Sequence, residues 1–173
     1  MEPGAHIHDP DPFADPESAR SPVRRLRARL VSPVTLWTAP GPVGLTVSSV
    51  LVVDGDPGRV LGVVDPESDL WPALSAGRRF AVTVLAAGAG QLADRFAGLL
   101  PAPGGPFRAG AWEQTDYGPV PVDPPAWAGC RLDGARPCGW GLLVEGTVER
   151  IEFGADEPGP LAHHRGRYRS LSG

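Results

Sequence analysis

The chain has 173 residues, 42% of them hydrophobic, and a formal net charge of −4. That length predicts one domain plus a tail, the acidic balance argues against nucleic acid as a partner, and no apolar run approaches the roughly 20 residues that cross a bilayer. All 16 basic residues are arginine, so neither Schiff-base lysine chemistry nor a P-loop lysine is available.

The first residues lack a basic stretch followed by an apolar one, so no secretory signal is expected and the cytoplasm is the expected compartment. Residues 1–20 are acidic and proline-rich with few apolar side chains, the composition of a disordered tail. His6 and His8 beside Asp9 and Asp11 read as part of that solvated tail. Ser21-Pro22 then predicts an N-cap followed by proline at the first helical position. Val23, Leu26 and Leu30 share one face at helical spacing and are expected to pack on the body of the protein. Four arginines occupy the remaining faces, which reads as a solvated surface or, less simply, as an anion-binding patch.

From residue 34 the pattern changes to short β-type runs. These are Val34–Ala39, Val43–Val53, Val60–Val64, Phe80–Leu85, Trp127–Leu132 and Trp140–Phe153, separated by turns rich in Gly, Pro and Asp. Helices are expected near Trp71–Ala76 and over Gly90–Leu99, the second with Leu92, Phe96 and Leu99 on one face. Residues 101–125 are proline-rich and read as a long loop. Such spacing predicts a mainly β protein, an antiparallel barrel or sandwich with a few short helices. The domain is expected to span 21–173.

The usual signatures of nucleophilic catalysis, dinucleotide binding and zinc proteases are missing. Cys130, Cys138, His163 and His164 could formally make a zinc set, but adjacent histidines on a strand point to opposite faces, and two free thiols are the simpler reading. No metal is expected. The most suggestive local stretch is Gly44-Leu45-Thr46-Val47-Ser48-Ser49, where three hydroxyls and a glycine suit a polar planar ligand lying on a sheet. A half-exposed strand with hydroxyls facing water explains the same residues. Asp65-Pro66-Glu67-Ser68 leads into a helix start, a ready anion site that Glu67 and Asp69 oppose.

Taken in order, these features resemble the flavin reductase-like family of FMN-binding split barrels, which includes the reductase components of two-component flavin monooxygenases. The resemblance runs over about residues 31–171. It rests on Pro33-Val34-Thr35-Leu36-Trp37-Thr38-Ala39, on Gly44–Ser49, on Asp56-Pro57, on Asp65…Ser68…Trp71-Pro72-Ala73-Leu74, on Gly77–Leu85, on Leu92–Gly98 and on the closing His164-Arg165-Gly166-Arg167-Tyr168-Arg169. It implies a split antiparallel barrel with Greek-key-like connections, a homodimer, and FMN or FAD bound with NADH or NADPH as cosubstrate. Val34, Thr35, Thr46, Val47, Ser48 and Ser49 would line the flavin ring. Asp65 and Ser68 would meet its phosphate, with Arg78 or Arg79 as compensating cations, and His164 and Tyr168 would lie on the nicotinamide side. The reaction implied is hydride transfer to flavin, for a partner monooxygenase, with no catalytic acid or base. The alternative is a barrel that binds flavin or another ligand without reductase activity; a third is an interaction protein using the acidic tail and basic helix.

Three departures from the family pattern accompany the resemblance. Ser68-Asp69-Leu70 loses a hydroxyl and gains a charge, which would weaken FMN by roughly 1.5–3 kcal/mol. Arg136-Pro137-Cys138-Gly139-Trp140-Gly141 stands where an imidazole is usual. Val50–Gly55 is less polar than the family's strand.

Overall fold

The computed structural model describes residues 21–155 and 157–171; the tail expected over 1–20 lies outside the described residues. Helix α1 (Pro22–Arg29) starts as the sequence predicts. Ser21 Oγ accepts the Arg24 N–H at 3.3 Å, and Pro22 fills a position whose N–H would be idle in any residue. Its surroundings differ from expectation. Val23, Leu26 and Leu30 are 75%, 64% and 59% exposed instead of packed. The helix is tied through its last turn, where the Arg165 N–H donates to the Ala28 carbonyl at 3.0 Å. That contact satisfies one of the acceptors a helix end leaves open.

After the two-residue strand β1 (Ser32–Pro33) comes β2 (Thr35–Ala39), buried along its whole length. It pairs with β3 (Val43–Val47) on one side and β6 (Arg79–Val84) on the other. The run 43–53, expected as one strand, breaks at Ser48-Ser49, and β4 (Val50–Val53) begins beyond it beside β5 (Arg59–Val64). The break is dictated by topology. With β9 (Ala126–Cys138) and β10 (Gly141–Phe153), the seven-stranded sheet has the order β3-β2-β6-β9-β10-β5-β4, so β3 and β4 are its two edges. Two serines therefore carry the chain from one edge to the other, across the seam of a curled sheet. The Val63 N–H donates to the Ser49 carbonyl at 2.9 Å and holds that corner to β5. Gly62 allows the approach, since a Cβ there would lie 2.5 Å from the Trp37 ring.

This curled antiparallel sheet is the split barrel that the family resemblance implies, and it settles the choice between barrel and sandwich. Trp37 and Phe80 stack inside it at 5.0 Å between centroids, surrounded by Val60, Val64 and Val144. Helix α2 (Leu70–Gly77) adds Leu70 and Leu74 to the same core. A second apolar cluster lies on the outer face, where α3 (Gly90–Phe96) covers Val34, Leu36 and Leu85. The helix stops short of the expected Leu99, which is 72% exposed, and its buried face is Ala93, Asp94 and Phe96. Gly98 is the cause. It adopts φ +73°, and the Gly98 and Leu99 N–H groups return to the carbonyls of Arg95 and Asp94, a Schellman closure.

The loop expected over 101–125 holds more structure than its prolines suggest. It carries a 3-10 turn at Pro106–Arg108 and a hairpin of β7 (Trp112–Thr115) and β8 (Gly118–Pro121). Two-stranded ribbons have free edges, and there proline is tolerated. The hairpin is docked by Thr38 Oγ1, which donates to the Pro119 carbonyl at 2.7 Å. Strands β9 and β10 are long partners joined by the two-residue turn Gly139-Trp140. Two register shifts interrupt the simple alternation expected over 142–149. The chain closes with β11 (Leu161–His164) and β12 (Arg167–Ser170), which form a three-stranded sheet with β1. Their turn, Arg165-Gly166, has φ of +51° and +76°, the geometry of a tight primed turn. Among the described residues no helix is long and apolar enough to cross a membrane.

Candidate functional site

The Ser48-Ser49 corner is the natural place to begin, because the hydroxyl-rich strand behind it is largely committed to the fold. Thr35 Oγ1 donates to the Val47 carbonyl at 2.6 Å and accepts from Trp37 Nε1 at 3.1 Å. Thr46 Oγ1 donates to the Ala93 carbonyl at 2.6 Å and pins α3 to β3. Val34 and Val47 are core residues. Of the six residues that the sequence groups here, Ser48 and Ser49 are half-buried and, among the described residues, their hydroxyl protons are not committed to a hydrogen bond of the fold, whereas those of Thr35 and Thr46 are. Ser48 Oγ accepts from Arg27 Nη2 at 3.3 Å, which leaves its own proton to give.

The second segment, Asp65 to Asp69, connects β5 to α2 and is tied up internally. The Ser68 N–H and Oγ both donate to the Asp65 carbonyl, at 3.1 and 2.7 Å, and Asp65 Oδ1 accepts the Glu67 N–H at 2.9 Å. Asp69 sits at the start of α2 and makes no capping hydrogen bond. Leu70 is fully buried, which explains why an apolar residue stands there instead of a hydroxyl. The arginines expected to compensate are elsewhere. Arg79 lies at the far end of α2 from Ser68, roughly 12 Å of helix away, with its guanidinium over the Tyr117 ring. Arg78 Nη2 donates to the Leu132 carbonyl at 2.8 Å.

The third segment is the β11–β12 hairpin. Tyr168 Oη donates to Asp94 Oδ1 at 2.6 Å, and burial together with that carboxylate raises the phenol well above its usual range. His164 is half-buried at the end of β11, opposite Arg167. The histidine in contact with Tyr168 is His163, edge-on at 5.7 Å. Burial first, then the charge of Arg27, lowers its pKa. Sequence reasoning missed Arg27 and Asp94. One was hidden among four arginines, the other inside a helix whose polar residues read as solvent-facing.

The two cysteines do not converge. Cys130 is buried and its thiol is pushed up to about 12 by burial, whereas Cys138 is exposed at the other end of β9. Among the described residues no group of His, Cys, Asp or Glu is placed to hold a metal ion. An open groove of about 620 Å³ runs between the turn after β4 and the end of β10. Its lining includes Val52, Asp54, Asp56, Glu149 and Ile151 and none of the expected site residues.

A sequence model of the flavin reductase like domain matches residues 27–172. The chain is 35% identical over 130 residues to SmoA, an FMN reductase (NADH) of Agrobacterium fabrum, covering 74% of this chain and 72% of that protein. It is 32% identical over 142 residues to an NADH:FMN oxidoreductase of Rhodococcus qingshengii, covering 80% and 73%. Among solved structures, the NADH:FAD oxidoreductase of Streptomyces globisporus superposes with a TM-score of 0.79 at 26% identity, over 94% of this chain and 98% of that one. The nitrilotriacetate monooxygenase component B of Mycobacterium thermoresistibile gives 0.78 at 26% identity, over 87% and 85%.

Proposed function

The chain belongs to the flavin reductase-like family, and from that membership we propose that it reduces a flavin, FMN or FAD, with NADH or NADPH as donor. The observation that carries the reading is the Ser48-Ser49 corner, two half-buried hydroxyls at the seam where the edges of the barrel meet. The donor set fits a flavin ring. A ring edge offers carbonyl and N–H groups, and a hydroxyl can both give and accept a hydrogen bond. The flavin, when bound, supplies the two-electron acceptor. The chain's own residues bind, orient and exclude water. Ser48 and Ser49 hold the ring edge; Val34, Thr35, Thr46 and Val47 fix the corner behind them. His164 and Tyr168 lie on the nicotinamide side, with Tyr168 held by Asp94. Asp65 and Ser68 border the phosphate end, and Arg79 serves the sheet.

The phosphate end is weak, which favours a flavin that enters and leaves over one held permanently. In this reading reduced flavin is released to a partner monooxygenase, a role supported by the structural neighbour named as component B of nitrilotriacetate monooxygenase. A homodimer is supported by the β4 edge, where Leu51, Val52 and Val53 are 58%, 71% and 41% exposed, an apolar edge strand that a lone copy would leave open to aggregation. NADH is the donor in the names of the relatives. The cytoplasm is the expected site of action.

The test is NADH and NADPH oxidation, followed by absorbance, with and without added FMN and FAD. Flavin-dependent turnover supports the reductase. Flavin-induced thermal stabilisation without turnover points to the alternative, a flavin-binding barrel that performs no reduction.

A further inference from the structure

Helix α1 has an unexpected relation to the corner. None of its residues is buried, yet one of its side chains reaches a segment 21 residues away: Arg27 Nη2 lies 3.3 Å from Ser48 Oγ. The contact is held from behind, because the next residue, Ala28, accepts the N–H of Arg165 from the β11–β12 turn at 3.0 Å. The same guanidinium acts on His163 of β11, lowering its pKa. Arg27 thus stands between the corner and the closing hairpin, the two segments assigned above to the flavin ring and the nicotinamide. Among the described residues it is the arginine of α1 whose side chain bonds to another element.

We propose that Arg27 sets the charge preference of this site, favouring the reduced flavin over the oxidised one. The inference rests on the flavin reading of the corner. Its chemistry is a matter of charge balance. The C–H bond of the dihydronicotinamide breaks with its electron pair and an N–H bond forms on the ring. The nicotinamide is left oxidised, and the flavin gains one negative charge. A guanidinium is permanently cationic. Held a hydrogen bond from the hydroxyl that carries the ring edge, it attracts the charged product more than the neutral ring. Arg27 is exposed, and screening by solvent and salt limits the effect to a modest factor.

The experiment uses the full chain, unaltered and as Arg27→Gln and Arg27→Lys, with circular dichroism to confirm folding. Oxidised FMN is titrated by fluorescence, and the potential of bound FMN is measured anaerobically against a reference dye. Arg27→Gln is expected to bind oxidised FMN within about threefold of the unaltered protein and reduced FMN about tenfold more weakly, which lowers the bound potential by about 30 mV. Arg27→Lys restores most of the difference. An unchanged ratio of the two affinities with flavin still bound overturns the role of Arg27 and leaves the flavin reading intact, and so does an equal loss of both forms. Failure of the unaltered protein to bind either form overturns the flavin reading together with the proposal.

Discussion

The Ser48-Ser49 corner and the Asp65–Asp69 turn are both polar, both follow a strand of the same sheet, and both match family segments. They differ in what they have left to offer. At the corner, Thr35 and Thr46 have taken up the demands of the fold, so the serines are available and a cation stands beside them. At the turn, both Ser68 donors close the turn on Asp65, and the segment carries three carboxylates, Asp65, Glu67 and Asp69. Similar composition therefore yields one segment fit to hold a neutral or anionic ring edge and one that repels an anion. On the proposed flavin reading, recognition is concentrated at the ring end.

Ser48→Trp breaks the comparison most severely. It fills the corner while removing one surface hydrogen bond, so flavin affinity is expected to fall on the order of a hundredfold, or about 2.7 kcal/mol, with an unchanged circular dichroism spectrum. Unchanged flavin affinity in a folded variant would refute the placement of the ring.

Tyr168→Phe tests the hairpin that backs the corner. A hydrogen bond to a carboxylate is lost, and unfolding by urea should show a destabilisation of roughly 1.5–3 kcal/mol. A change below about 0.5 kcal/mol would mean that the Asp94 contact does not anchor the hairpin.

Asp69→Asn sharpens the other side. Removing a charge from the phosphate end should tighten FMN about two- to fivefold and leave riboflavin unaffected, at a cost near the low end of the roughly 0.3–1 kcal/mol that a carboxylate contributes at a helix start. Equal effects on both ligands would show that the phosphate does not approach this turn.

The smallest effect is in pH. Burial, Arg27 and His164 lower the His163 pKa from 6.5, against an opposing Asp94. The unfolded chain then takes up the proton first as pH falls. Stability from this residue is complete above about pH 6.5 and declines progressively below it. His163→Gln should flatten that slope in melting temperature, and a slope unchanged in the variant would assign it to other groups.

Much of the fold was legible in the sequence because turn chemistry is local. Ser21-Pro22 starts α1, and the Gly, Pro and Asp clusters mark the ends of most strands. The misplaced elements fail for non-local reasons. The run 43–53 has no Pro, Asn or Asp, its Ser48-Ser49 pair is only a weak turn signal, and it splits there because its halves belong to opposite edges of one sheet. The β7–β8 hairpin is masked by prolines that a free edge tolerates. Leu26 and its neighbours have helical spacing, but spacing does not say whether a partner covers them. At the site, hydroxyl-rich residues identified the strand. Which hydroxyls remain available depends on acceptors as distant as Ala93 in α3, and that information lies in the packing.

The most direct test of recognition at the ring end is the affinity for riboflavin measured beside that for FMN. The two share a ring and differ by the phosphate. The account predicts dissociation constants within about fivefold of each other, a difference under about 1 kcal/mol. FMN bound a hundredfold or more tightly, about 2.7 kcal/mol, would show that the phosphate carries the recognition and would contradict it.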